Sequence, residues 1–100
     1  MGWATHYMAL LRQGQTVKFR PRGNSMQPRI KSGQLCTVEP ATIDDIAVDD
    51  VVLCVVRGAQ YLHLVIAKQG GKLLIGNNRG GTNGWIGPNG LYGKLVSVDD

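Results

Sequence analysis

A compact all-β domain with one short N-terminal helix is the fold class that this 100-residue sequence predicts. Most apolar residues fall in short runs with period-two or β-branched character. Glycine is abundant, 14 residues, and lies mainly between those runs, where tight turns need it. Only one stretch, near the N-terminus, has apolar residues at helical spacing. One helix followed by about six short strands predicts a partly open, β-barrel-like sheet. The length sets a single domain with one modest core, and an apolar share of 43% excludes wholesale disorder. Residues 1–15 read as a helix and linker packed on a β domain spanning 16–100.

In residues 4–12, Tyr7, Leu10 and Leu11 share a helical face, Thr5 is a candidate cap and Gly14 a stop. So short a helix has to dock to persist. Thr16 to Arg20 alternates as a half-buried strand does, and Pro21-Arg22-Gly23 breaks it. Leu35 to Glu39 forms a second strand, stopped by Pro40. Val51 to Arg57 is almost continuously apolar, so both of its faces should be covered. Gly58-Ala59 turns the chain into a strand from Tyr61 to Lys68, giving a hairpin. A further strand, Lys72 to Ile75, precedes a long loop from Gly76 to Gly90, and Leu91 to Val98 closes the sheet. Loops of that length in so small a domain are often functional. Trp85 within it either plugs the core or belongs to a substrate loop.

The net charge is +4, and Lys18, Arg20, Arg22, Arg29 and Lys31 fall in one stretch. They read first as a solvated face around a turn and second as a patch for phosphates or an acidic partner. Nucleic acid is not expected, since no aromatic stacking platform is interleaved with the charges. Cys36 and Cys54 lie inside apolar runs at a spacing that fits no zinc or redox motif. They read as buried free thiols, in keeping with a reducing cytosol. No apolar segment approaches the roughly 20 residues of a membrane helix, and no signal peptide is evident. A soluble cytoplasmic protein is expected, with no metal and no cofactor.

The stretch Gly23-Asn24-Ser25-Met26-Gln27-Pro28 carries the chemistry. A serine nucleophile needs a hydroxyl exposed on a rigid turn, a base within reach and a backbone N–H aimed at the oxyanion. A serine behind a glycine turn, anchored by Met26 and stopped by Pro28, suits the first and third needs. Gly23, Asn24 and Met26 then form the surrounding oxyanion and substrate pocket.

This stretch resembles the nucleophile segment, Gly-x-Ser-Met-x-Pro, of LexA-like and type I signal-peptidase-like serine peptidases. The likeness continues through Gly33 and the strand from Leu35, Asp49-Asp50-Val51-Val52-Leu53, Leu62-His63-Leu64-Val65-Ile66, Gly76-Asn77-Asn78 and Gly93-Lys94-Leu95-Val96. It covers about Val17 to Val98. The general base of that family is lysine in LexA-like and bacterial members and histidine in the archaeal and endoplasmic-reticulum signal peptidases. The sequence is similar to the histidine version, which implies a Ser25/His63 dyad.

Two positions depart from the pattern. Leu64 stands where the histidine versions carry arginine. Asn77 stands where they often carry the aspartate that orients the histidine, although an amide can also orient an imidazole. Asn77 and Asn78 are therefore the expected histidine-orienting or substrate-contacting residues, within a polar loop that also holds Arg79 and Asn83. Asp49 and Asp50 read as turn braces. Lys68, the competing base, lies five residues beyond His63, and strict alternation turns it to the opposite face. His6, on the helix, is a minor competitor.

The resemblance implies a serine endopeptidase acting on an extended peptide or protein substrate that pairs with a strand edge. Neither a membrane anchor nor an N-terminal DNA-binding domain is expected, and residues 1–24 hold no Ala-Gly or Cys-Gly pair. Cleavage of another chain is thus expected rather than self-cleavage. The alternative is an inactive peptide- or partner-binding regulatory module on the same fold.

Overall fold

A computed structural model of the protein describes residues 2–23 and 26–100. The chain is mainly β, as the sequence predicts. A helix, α1 (Thr5–Arg12), is followed by β1 (Val17–Phe19), β2 (Leu35–Pro40), β3 (Val51–Val56), β4 (Ala59–Gln69), β5 (Lys72–Gly76), β6 (Thr82–Ile86) and β7 (Leu91–Asp99). The strands form one antiparallel sheet in the order β1-β2-β7-β3-β4-β5-β6. It does not close into a barrel, and β1 and β6 are its edges.

Strand β6 stands where the sequence predicts a loop. It lies within the expected loop and pairs with β5, Leu73 opposite Ile86 and Leu74 opposite Trp85. Glycines gave the segment a loop-like composition, but tertiary pairing with β5 overrides that weak local preference. Trp85 is 48% exposed on this strand, so it does not plug the core.

Both faces of β3 are buried, as its composition predicts. Val51 and Leu53 join a cluster with Met8, Leu11, Phe19 and Val38, while Val52, Cys54 and Val56 join one with Ile43, Val65, Leu73 and Ile75. The buried residues thus form two clusters on opposite sides of a central strand, not the single core expected. Period-two alternation in a strand covered on both sides produces this division. Both cysteines are buried and free, one in each cluster. Burial raises the Cys36 thiol pKa and pushes that of Cys54 up to about 12.

The helix buries Ala4, Met8 and Leu11, with Tyr7 half-buried on the same face. Thr5 does not supply the cap hydrogen bond expected of it; its Oγ1 instead donates to Gly2 O and accepts from Gly2 N. Gly14, at φ 86°, follows the helix end as expected. Docking is specified at two places. Tyr7 stacks on Phe19 with centroids 4.6 Å apart. On the opposite flank the Gln60 side chain accepts from Ala4 N at 2.6 Å and donates to Thr5 Oγ1 at 2.9 Å. Beneath the helix lies Gly93 of β7, where a Cβ would stand 2.6 Å from Glu39 O, 2.7 Å from Val38 Cγ1 and 3.2 Å from Leu11 Cδ1.

Four of the six strand ladders contain register shifts. Each such bulge bends and twists its strand. No helix among the described residues is long and apolar enough to cross a membrane.

Gly93→Ala is expected to overpack the junction of α1 with the sheet and cost about 1–3 kcal/mol. Urea denaturation checks this, with a lowered midpoint and an unchanged slope as the expected result.

Candidate functional site

The backbone from Pro21 to Gly33 closes on itself. Gly33 N donates to Pro21 O at 2.9 Å, Gly23 N to Ser32 Oγ at 3.3 Å and Ile30 N to Met26 O at 3.0 Å. Met26 and Ile30 are buried and fix the loop to the first apolar cluster. Gly23 holds φ 118°, a conformation that needs glycine. Two side chains tie the loop to the sheet. Asn78 Nδ2 donates to Gln27 O at 2.9 Å, and Arg29 donates to Asp49 O at 2.8 Å while pairing with the Asp49 carboxylate at 3.7 Å. Asn24 and Ser25, the expected oxyanion residue and nucleophile, lie outside the described residues. The residues on either side of them, Gly23 and Met26, line an open cleft of about 440 Å³.

His63 lines the same cleft. It sits on β4 opposite Val52, is only 8% exposed, and stacks on Tyr61 with centroids 4.7 Å apart. Its Nδ1 lies 2.8 Å from Asn83 Oδ1. A carbonyl oxygen only accepts, so the proton is on Nδ1 and the lone pair of the neutral ring is on Nε2. Burial lowers the imidazole pKa from its ordinary value, and the Asn83 hydrogen bond partly offsets that. The ring is therefore neutral at neutral pH, the state a general base requires.

The histidine-orienting contact expected of Asn77 comes from Asn83. Asn77 Oδ1 instead accepts from Arg79 N at 2.8 Å and Gly81 N at 3.0 Å, so it braces the turn between β5 and β6. The physical reason is a bulge. Ile75 pairs with Gly84 but Gly76 pairs with Thr82, which leaves Asn83 as the extra residue of β6. Bulges re-aim a side chain, and this one brings an amide to His63. Gly76 permits the close turn, since a Cβ there would collide with the Ile66 side chain and Gly81 O. The sequence signal that could have marked Asn83 is Gly84 beside it, at φ 140°.

A second bulge overturns the opposite-face expectation for Lys68. Val65 pairs with Ile75 and Ala67 with Leu74, so Ile66 is extra and the alternation does not run from His63 to Lys68. Lys68 Nζ is instead occupied by the carbonyls of Ile43 and Ile46, at 3.0 and 2.8 Å. Asp49 and Asp50 brace the turn before β3: Asp49 N donates to Val65 O and Asp50 Oδ2 accepts from Ala47 N, both at 2.8 Å. His6 is exposed on α1 and does not line the cleft. Leu64 is half-buried against the first cluster.

Nothing in the sequence marks the cleft's other wall. Trp3 lines it, its Nε1 donating to Gln60 O at 3.2 Å and its ring edge-on to Phe19. No group of three metal-ligating side chains occurs among the described residues. No family model and no curated protein matches the chain.

The His63 imidazole is expected to titrate below about 6.5 in an NMR pH series, lower still in Asn83→Ala and higher in Asn83→Asp. Because the unfolded chain binds this proton more readily than the folded one, the stability that depends on the neutral ring is complete above about pH 6.5. It is lost as pH falls through the folded-state pKa. His63→Gln should flatten that dependence in chemical denaturation measured across the same range.

Proposed function

We propose that the protein is a serine endopeptidase of the LexA-like and signal-peptidase-like kind, in its histidine-base form, acting on an extended peptide. The observation that carries this reading is a buried neutral imidazole in one cleft with Gly23 and Met26, the residues that flank Asn24 and Ser25. Its Nδ1 proton is held by Asn83. The ordered likeness of the segments from Val17 to Val98 supports the same reading.

In this mechanism Ser25 Oγ attacks the scissile carbonyl carbon while His63 Nε2 takes the hydroxyl proton. The Ser25 backbone N–H donates to the developing oxyanion. The resulting imidazolium returns its proton to the leaving amine, which departs and leaves an acyl-enzyme. Water, deprotonated by His63, then hydrolyses the ester and restores the serine. Asn83 is a positioning residue: it fixes the tautomer and plane of the ring without touching substrate. An amide stabilises imidazolium less than a carboxylate does, and burial also disfavours it. Both effects favour a base that is unprotonated at rest over one that holds protons strongly. The edge strand β1 leads directly into the cleft at Arg20 and Pro21, so a substrate strand added there would run toward His63.

A fluorophosphonate probe is expected to label the wild type but not Ser25→Ala, and to label His63→Ala about 10²–10⁴-fold more slowly. The labelling rate should rise with pH through an apparent pKa below about 6.5. Asn83→Ala should slow it and Asn83→Asp should move the profile to higher pH, a shift that a purely structural role would not produce. No labelling of the wild type between about pH 6 and 9 would overturn the enzyme and leave the binding module.

A further inference from the structure

The cleft carries a charge asymmetry. Its rim on the loop side holds Arg20, Arg22 and Lys31, all exposed, and no aspartate or glutamate lines it among the described residues. Four other cations are engaged elsewhere. Arg29 pairs with Asp49, Lys94 with Asp50, Lys68 caps two carbonyls, and Arg12 donates to Asn89 O while lying over the Tyr92 ring. Arg20 donates to Gly33 O at 2.9 Å, which holds it at the rim without neutralising it. Neither Arg20, Arg22 nor Lys31 has a carboxylate partner among the described residues. Beneath this rim the cleft is apolar: Met26, Ile30 and Leu62 are buried along it, and Trp3, 49% exposed, stands on the facing wall.

We infer that the cleft selects acidic peptides, in which an apolar residue seated against Trp3, Met26 and Ile30 is flanked by aspartate or glutamate facing Arg20, Arg22 and Lys31. This rests on the peptidase reading and adds its substrate class. Carboxylates flanking the anchor complete the rim's unpaired charges, whereas lysine or arginine there meets three like charges. A nucleic acid shares the attraction to the rim but fits the rest less well. Its sugar-phosphate chain leaves the apolar floor unsatisfied, and the cations form one lip, not a track along a strand.

The test uses the full chain with Ser25→Ala, so that peptide is bound but not cut. Fluorescein-labelled peptides that share a central leucine and differ only in flanking Asp/Glu, Ser or Lys are titrated by anisotropy at low salt. The expected order is acidic over neutral over basic, with the acidic peptide about tenfold tighter than the neutral one and the difference shrinking at about 0.5 M salt. The exposed double variant Arg22→Glu/Lys31→Glu should reverse the order, and Trp3→Ala should weaken all three peptides without changing it.

Equal affinity for the three peptides, or binding of none, overturns the proposal. So does a labelled single-stranded oligonucleotide that binds as tightly as the acidic peptide. Fluorophosphonate labelling of the wild type is read in parallel. Labelling without charge preference removes the substrate class and leaves the peptidase, whereas charge preference without labelling removes the peptidase alone.

Discussion

Strand β3 has no solvent face, and the positions of the remaining elements follow from that. Its alternate side chains enter two separate apolar clusters. Slipping β3 by one residue against β4 or β7 would exchange the two sets of side chains between clusters of different shape. The register of the β3–β4 hairpin is therefore strongly fixed, with Val52 opposite His63 and Leu53 opposite Leu62. The imidazole is set in the wall of the cleft by this packing, not by polar contacts alone. The N-terminal helix, the loop from Pro21 to Gly33 and the turn at Asp49 are each tied to the strands around this centre by a few directed hydrogen bonds.

The site arises where regular alternation breaks. A strictly alternating β6 would distribute its side chains by parity; one extra residue supplies an amide at His63 Nδ1. The neighbouring ladder has its own extra residue, Ile66, and it sends the Lys68 ammonium to the carbonyls of Ile43 and Ile46. Burial and the amide then act in opposite directions on the histidine. The first keeps the ring neutral, and the second fixes which nitrogen carries the proton. Together they give a neutral ring whose proton is on Nδ1 and whose lone pair is on Nε2.

Much of this was legible in the residues because period and composition are local properties. The alternating Val17–Phe19 run, the doubly buried Val51–Val56 strand and the hairpin into Tyr61 follow from side-chain type alone. The shared cleft of His63 with Gly23 and Met26 has no local signature, since no local rule brings two distant segments together, and only the order of the motifs pointed to it. What was not legible depends on register. Asn77 and Asn83 are equally plausible from composition, and only the bulge between Ile75 and Gly76 decides between them. The strand β6 was hidden because its glycines describe the backbone's freedom, whereas β5 determines how that freedom is used. The cationic rim was visible as a run of charges, but its place beside an apolar floor depends on how the loop closes at Pro21 and Gly33.

The two cysteines, buried in opposite clusters and with their thiols shifted toward the protonated form, have a practical consequence. Neither is presented to solvent as a thiolate at neutral pH. A maleimide dye or a nitroxide can therefore be directed to a single cysteine introduced on the surface, for instance along the rim of the cleft, without first replacing either native residue. Distances across the cleft then become measurable by resonance energy transfer or paramagnetic relaxation in an otherwise unaltered chain.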